Sequence, residues 1–184
     1  MFDDLFTFVA EMRLKGTSRV VAILALLAFN IIGDQVSKLI VRDTIDLYQQ
    51  HSYLGGHFNL LHVENAGAFL SLGAELGQPF HFILLTLLPV VALIGGLLYV
   101  IFKKTLTPLM AAGIVCCVGG GMGNLYDRIV HGSVTDFMHI QLSGALQTGI
   151  FNVADASIMV GLGLILLDGF LTSRREKQAV QTEV

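Results

Sequence analysis

Tryptophan is absent and charge is scarce: of 184 residues only 14% are Asp, Glu, Lys or Arg, against 54% hydrophobic. A water-soluble domain of this size carries about a quarter charged residues. One small globule cannot hide so much apolar surface, and a mean hydropathy of +0.72 points to the bilayer as solvent. Without Trp, the interface anchors must be Tyr, Phe, Lys and Arg. A basic excess is missing as well. Net charge is −3 and the pI about 6.0, which leaves no electrostatic footprint for nucleic acid. The only cysteines, Cys116 and Cys117, are adjacent in an apolar run. They fit neither a disulfide framework nor a metal spacing and read as small fillers of a helix interface. His51, His57, His62, His81, His131 and His139 lack tight ligand spacing, so no metal and no other cofactor is expected. No Gly-x-Ser-x-Gly occurs. Ser37 and Lys38 are adjacent, which on a helix points them about 100° apart, poor geometry for a Ser–Lys dyad.

What the chain has is four apolar runs long enough to span a bilayer, at about 19–40, 82–102, 106–125 and 151–171. The pair Gly95–Gly96 and the run Gly119–Gly120–Gly121 suit close helix packing, and Pro89 is tolerable where neighbours re-satisfy the backbone. Basic residues divide unevenly. Arg13, Lys15, Arg19, Lys103, Lys104, Arg174, Arg175 and Lys177 fall on one side; only Lys38, Arg42 and Arg128 fall on the other. Both termini and the link at 103–104 are therefore expected in the cytoplasm, with the segments at about 42–81 and 126–150 facing outward. The first run follows Asp3, Asp4 and Glu11 and continues into Asp34 and Lys38 with no small-residue cleavage site, so it is not expected to be a cleaved signal peptide. Phe2, Leu5, Phe6, Val9 and Met12 recur at helical spacing, which suggests a short amphipathic helix on the membrane surface.

The outward segments carry the polar residues. Phe58 to Asn65 reads as a strand whose alternation slips between Leu60 and Leu61, hence with a bulge or break. Ala66-Gly67-Ala68 is a small-residue turn, and Phe69 to Leu76 suits a brief interfacial helix ending near Gly77 and Pro79. Val134 to Leu142 alternates cleanly, with Asp136 the polar member of the face that holds Val134, Met138, Ile140 and Leu142. Two such strand regions give a small outward sheet able to grip an extended peptide.

Asp155 lies inside the last apolar run and Asp136 just before it. A carboxylate at membrane depth costs at least a few kcal/mol, so it marks a partner or a job. Two that converge make a shared-proton pair, which is acid–base machinery. Each supporting residue has a plainer reading beside the functional one. Asn124 and Arg128, four apart, end the third run and either meet headgroups or face the bundle. Asn152 and Asp155, three apart, either cap a helix or serve the site. Asp34 and Lys38 are either an intrahelical pair with Lys38 snorkelling outward or part of the shell behind the site. Asp168, near the other end of the last run, reads as a headgroup contact.

Five blocks then stand in order: Asp34-Gln-Val-Ser-Lys38, Asn65-Ala-Gly-Ala68, Gly119-Gly-Gly-Met-Gly-Asn-Leu-Tyr-Asp-Arg128, Gly132-Ser-Val-Thr-Asp-Phe137 and Phe151-Asn-Val-Ala-Asp155. Together they resemble the signature blocks of the bacterial lipoprotein signal peptidase (signal peptidase II) family, over residues 19–172. Ser37 stands where Thr is commoner and Gly121 where Ala is commoner. The resemblance implies an all-α integral membrane protein: four transmembrane helices, a small extracytoplasmic β-sheet region and a short interfacial helix. The match covers 19–172, the membrane-embedded peptidase domain, and not residues 1–18; the distribution of basic residues makes 1–18 a cytoplasmic N-terminal segment and 173–184 a cytoplasmic tail. It implies an aspartic endopeptidase of the bacterial inner membrane, expected as a monomer. Such an enzyme cuts prolipoproteins just before a cysteine that carries a diacylglyceryl group, in contact with membrane lipid, and is inhibited by globomycin-like cyclic peptides. By motif position, Asp136 and Asp155 resemble the catalytic pair. Asn124, Arg128, Asn152, Asp34, Lys38 and Asn65 resemble supporting or substrate-binding residues. The residues taken alone leave two other classes open, a small proton-coupled transporter or channel and a non-enzymatic assembly subunit; the first is opposed by polar residues gathered at one membrane face and by the lack of an inverted repeat.

Overall fold

The computed structural model describes residues 16–67, 77–144 and 146–182. Both the amphipathic stretch expected at Phe2–Met12 and the interfacial helix expected at Phe69–Leu76 lie outside the described residues. Among the described residues four helices are long and apolar enough to cross a membrane: α1 (Thr17–Thr44), α2 (Phe80–Phe102), α3 (Pro108–Val130) and α4 (Val153–Thr182). Strands β1 (Gln50–Tyr53), β2 (Phe58–Asn65) and β3 (Val134–Ile140) form one antiparallel sheet in the order β1-β2-β3.

Exposure runs opposite to that of a water-soluble bundle. Phe29, Val91, Met159 and Leu166 are exposed, whereas Asp34, Lys38 and Asp127 are wholly buried. Apolar side chains on the outside and paired charges inside are what hydrocarbon surroundings select. Helix α3 is the axis of the bundle, with 56% of its apolar window buried against 22, 11 and 17% in α1, α2 and α4. Its small residues explain this. A Cβ on Gly120 would come within 2.3 Å of the Ala154 carbonyl oxygen, so the α3 and α4 backbones touch there. Ala22, Ile23 and Leu27 of α1, Val100 of α2 and Ala111, Ala112, Val115 and Val118 of α3 fill the half of the bundle away from the sheet. Cys116 is buried and Cys117 half-buried on α3, both as free thiols.

The end far from the sheet is tied by two polar contacts. Arg19 Nη2 donates to the carbonyls of Val100 (3.0 Å) and Lys103 (2.9 Å), which closes the C-terminus of α2. Thr107 caps α3 by accepting from the Met110 N–H and donates its hydroxyl to Asp168 at 2.5 Å. Asp168 is therefore buried against the cap of α3 and does not serve as a headgroup contact.

At the sheet end, α1 and α3 run past the ends expected near residues 40 and 125. Their polar residues there find partners inside the protein, so the helices need not stop where the apolar run stops. Strand β1, exposed at all four residues, has no alternation and is a third strand beyond the two expected. It joins β2 through Leu54, Gly55 and Gly56, at φ of 52°, 68° and 91°. Strand β2 pairs Phe58–Leu60 with Ile140–Met138, slips in register, then pairs Val63–Asn65 with Asp136–Val134. The start of β3 is buried on both faces: Val134, Thr135, Asp136 and Phe137 are all 5% exposed or less. Phe137 packs with Val41 of α1 and with Ile45 just past its end, which cover the face opposite Asp136.

Candidate active site

Backbone pairing brings the two carboxylates to one place. The Phe151 carbonyl accepts from the N–H groups of Phe137 (3.0 Å) and Met138 (2.8 Å), and the Phe151 N–H returns a bond to Met138 O (2.9 Å). Phe151, two residues before α4, is thereby stapled to β3, and Asn152 and Asp155 follow at the first turn beside Asp136.

Two asparagines bridge the acids. Asn152 Nδ2 donates to Asp136 Oδ1 at 2.7 Å and to Asn124 Oδ1 at 3.0 Å. Asn124 Nδ2 donates to Asp155 Oδ1 at 2.8 Å. The amide orientations follow from Lys38, whose ammonium only donates and sits 2.9 Å from Asn124 Oδ1. That fixes Nδ2 of Asn124 toward Asp155. Asn152 also caps α4: its Oδ1 accepts from the Asp155 N–H (2.9 Å) and its own N–H donates to Asp155 Oδ2 (3.2 Å). This is a reciprocal capping box, so the capping reading holds, and the same side chain also contacts Asp136 and Asn124. Asp136 Oδ2 accepts from Asn65 Nδ2 at 2.9 Å, and Asn65 Oδ1 holds the following turn through Gly67 N–H at 3.0 Å.

Behind the asparagines lies a buried charge cluster. Lys38 Nζ is 2.8 Å from Asp34 Oδ2 and 2.9 Å from Asp127 Oδ2, all three at zero exposure. Lys38 therefore points into the bundle and does not snorkel. Arg42 Nη2 lies 3.1 Å from Asp127 Oδ1, an ion pair without an aligned hydrogen bond. Two anions and two cations balance, and this makes the burial tolerable. Asp34 Oδ1 accepts the Ala154 N–H at 2.9 Å, so the cluster also grips the N-terminus of α4 next to Asp155.

Asn65, Asn124, Arg128, Asp136 and Asp155 all line one cavity of about 900 Å³, whose remaining walls include Pro89, Leu93, Cys117, Ile158 and Met159. Burial above all, and the charge of Asp155, push the Asp136 carboxyl from 3.8 up to about 6, against opposing hydrogen bonds from Asn65 and Asn152. Arg128 faces the bundle, on the cavity wall. Its Nη2 donates to the Gly67 carbonyl at 2.9 Å, so its direct contact is the turn after Asn65. It stays within Coulombic reach of Asp136 and Asp155, and its buried Nε has no hydrogen-bond partner among the described residues.

Every candidate site residue thus falls in one cluster: Asp136, Asp155, Asn124, Asn65 and Arg128 at the cavity, Asn152, Asp34 and Lys38 behind it. Two further members were given no role from sequence. Asp127 is one of the two anions of the charge cluster; its spacing of three from Asn124 puts it on the same helix face, a usable clue. Gln35 Nε2 reaches Asp34 Oδ2 (3.1 Å), Gly123 O (3.1 Å) and Asp127 Oδ1 (3.2 Å), and only the neighbouring Asp34 hints at that.

Fold and site define a class: a four-helix membrane protein with two carboxylates joined by amides at one end of the bundle. A family model described as signal peptidase (SPase) II matches residues 26–171. The lipoprotein signal peptidase of Caulobacter vibrioides is 36% identical over 161 residues, covering 86% of this chain and 92% of its own. That of Geobacter sulfurreducens is 34% identical, covering 80% of this chain and 90% of its own. A solved structure of a bacterial membrane enzyme superposes with a TM-score of 0.71 at 25% identity, over 84% of this chain and 90% of the other. The chain belongs to the signal peptidase II family, a family of membrane peptidases.

Proposed function

We propose that this protein is an aspartic endopeptidase that removes signal peptides from prolipoproteins, cutting just before a cysteine that carries a diacylglyceryl group. The observation that carries the reading is the amide bridge, in which Asn152 and Asn124 tie Asp136 and Asp155 into one hydrogen-bonded unit on the wall of one cavity. The unit holds one proton, on Asp136, whose buried carboxyl keeps it to about pH 6. Asp155 accepts two N–H bonds at the start of α4, where the helix end favours negative charge.

In the reaction, ionised Asp155 takes a proton from water as the water oxygen attacks the scissile carbonyl. Protonated Asp136 hydrogen-bonds the carbonyl oxygen and gives it the proton as the tetrahedral intermediate forms; when the C–N bond breaks, the proton taken by Asp155 goes to the departing amine and a hydroxyl of the intermediate returns its proton to Asp136 as the carbonyl re-forms. Acid–base assistance of this kind contributes roughly 10²–10⁴-fold. Arg128, on the wall of the same cavity, would donate to a substrate carbonyl through its guanidinium. The apolar walls at Leu93, Ile158 and Met159 suit acyl or signal-peptide side chains, and cyclic peptides of the globomycin type would occupy the same cavity.

The site belongs on the extracytoplasmic side of a bacterial inner membrane, with both termini in the cytoplasm. Lys38, Arg42 and Arg128, the cations at the sheet end, are all engaged by protein groups. The cations of the opposite end follow the positive-inside pattern. The test is mass spectrometry of products from a diacylated prolipoprotein and its unmodified counterpart, with purified protein in lipid. One cut before the cysteine in the lipidated substrate supports the reading. Proton flux in proteoliposomes without cleavage contradicts it.

A further inference from the structure

Asp136 stands in a ladder of only three residue pairs. Val63, Glu64 and Asn65 face Asp136, Thr135 and Val134, and the register slip after Leu60 separates this stretch from the pairs made by Phe58–Leu60. Side chains alternate along a strand, so a one-residue shift would carry Asp136 out of the cavity and bring Thr135 in. A short ladder beside a bulge is a weak guard against that shift.

The face away from the cavity carries a clamp. Glu64 and Thr135 are direct cross-strand partners, and Glu64 Oε1 accepts from Thr135 Oγ1 at 2.7 Å. Glu64 Oε2 accepts from Ser133 Oγ at 2.5 Å, and His62 Nε2 lies 3.1 Å from Oε1. Thr135 Oγ1 in turn accepts from Arg42 Nε at 2.8 Å, and the Thr135 N–H points to Asp127 Oδ2 at 3.4 Å. The clamp therefore runs from β2 through β3 into α1 and α3. Burial pushes the Glu64 carboxyl up, but the bonds from Ser133, Thr135 and His62 outweigh it and hold the group below its ordinary value. As an ionised acceptor, Glu64 obliges both hydroxyls to point at it. Glu64, Ser133, Thr135 and Arg42 do not line the cavity.

We propose that Glu64, with Ser133 and Thr135, is a positioning residue: it locks the β2–β3 register from the reverse face so that Asn65 and Asp136, the next residue along each strand, meet at 2.9 Å on the cavity side. The proposal rests on the peptidase reading above. Cavity walls from α2, α3 and α4 supply the apolar contacts, so loss of the clamp acts on the placement of Asp136 and hence on kcat, with KM little changed. Gln at position 64 keeps the shape and accepts or donates to either hydroxyl, so it restores the clamp; Leu cannot.

The experiment compares full-length Glu64→Leu, Glu64→Gln and Ser133→Ala/Thr135→Val on a diacylated prolipoprotein, with Asp136→Asn as the blank. Amide hydrogen exchange at residues 63–65 and 134–136 is followed alongside. An ångström-scale misplacement costs up to about 10²-fold, so Glu64→Leu and the double variant should each lower kcat by roughly 10- to 100-fold with KM within about twofold. Glu64→Gln should stay within about threefold of wild type, and exchange should quicken only in the impaired variants. A near-normal kcat in Glu64→Leu overturns the proposal, as does equal impairment by Leu and Gln, or a raised KM with kcat intact. Should Glu64→Leu fail to fold, the double variant decides by the same thresholds. Cleavage by the Asp136→Asn blank would instead overturn the role given to Asp136, and absence of cleavage by the wild type would overturn the peptidase reading; in either case the exchange data would still decide whether the clamp exists.

Discussion

Asn152 donates its side-chain amide to Asp136 Oδ1 at 2.7 Å while its side-chain oxygen caps the helix that begins beside it. The two duties separate by substitution. Ser is a good N-cap but has no amide to reach across to Asp136 and Asn124. Asn152→Ser should therefore keep the melting temperature close to wild type and lower kcat by about 10²-fold, the size of one lost transition-state donor. Asn152→Ala should lower both, with about 1 kcal/mol of stability lost with the cap. Thermal unfolding and steady-state kinetics on the same preparations check this.

Lys38 is wholly buried between Asp34 and Asp127. Lys38→Met leaves two buried carboxylates short of a cation and frees the Asn124 amide to turn. We expect a loss of about 3–5 kcal/mol, read from thermal unfolding in detergent, together with loss of cleavage. Lys38→Arg should not restore function, because the planar guanidinium does not fit a site built for a compact ammonium.

Gly123 lies where α3 meets the charge cluster: a Cβ there would come within 2.4 Å of Asp34 Oδ2. Gly33, on α1, has nothing within 4 Å of its Cβ position. Gly123→Ala should displace Asp34 and lower both stability and activity. Gly33→Ala should be neutral or stabilising by up to about 1 kcal/mol, from helix propensity alone. The pair of variants, compared by unfolding temperature and kcat/KM, distinguishes close approach from a general intolerance of added methyls.

The pH dependence follows from Asp136, whose carboxyl holds its proton up to about pH 6 where an unfolded Asp releases it at 3.8. If Asp136 must be protonated to act, kcat/KM should fall on the alkaline side of about pH 6, approaching tenfold per pH unit. Stability has the same sign. Between about pH 4 and 6 the native state binds the extra proton, so stability falls as pH rises through that window and levels off above it. A kcat/KM profile and unfolding temperatures across pH 4 to 9 check both.

Much of this site was legible in the residues because buried charge is costly enough to leave few alternatives. Asp136, Asp155, Asn124 and Asn152 stood out as polar groups in apolar surroundings, and their spacing on helices and a strand gave their faces. The slip between Leu60 and Leu61 in β2 also left its mark, at the place where the ladder shifts. Other features had no local trace. Strand β1 is polar and exposed, held by pairing with β2, so neither period nor composition marks it. The inward turn of Lys38 depends on Asp127, 89 residues on, and the seat of Asp168 depends on Thr107 across the bundle. The contact of Arg128 with the Gly67 carbonyl is likewise set by tertiary packing, because any nearby carbonyl satisfies a guanidinium.

The central claim is that Asp136 and Asp155 work as one acid–base unit. The direct measurement is the cleavage rate of a diacylated prolipoprotein by Asp136→Asn and Asp155→Asn, each verified as folded by its unfolding temperature. The account predicts a fall of at least about 10²-fold in kcat for each and little further loss when the two are combined, as for groups that act together. Cleavage at near the wild-type rate by either single variant contradicts it.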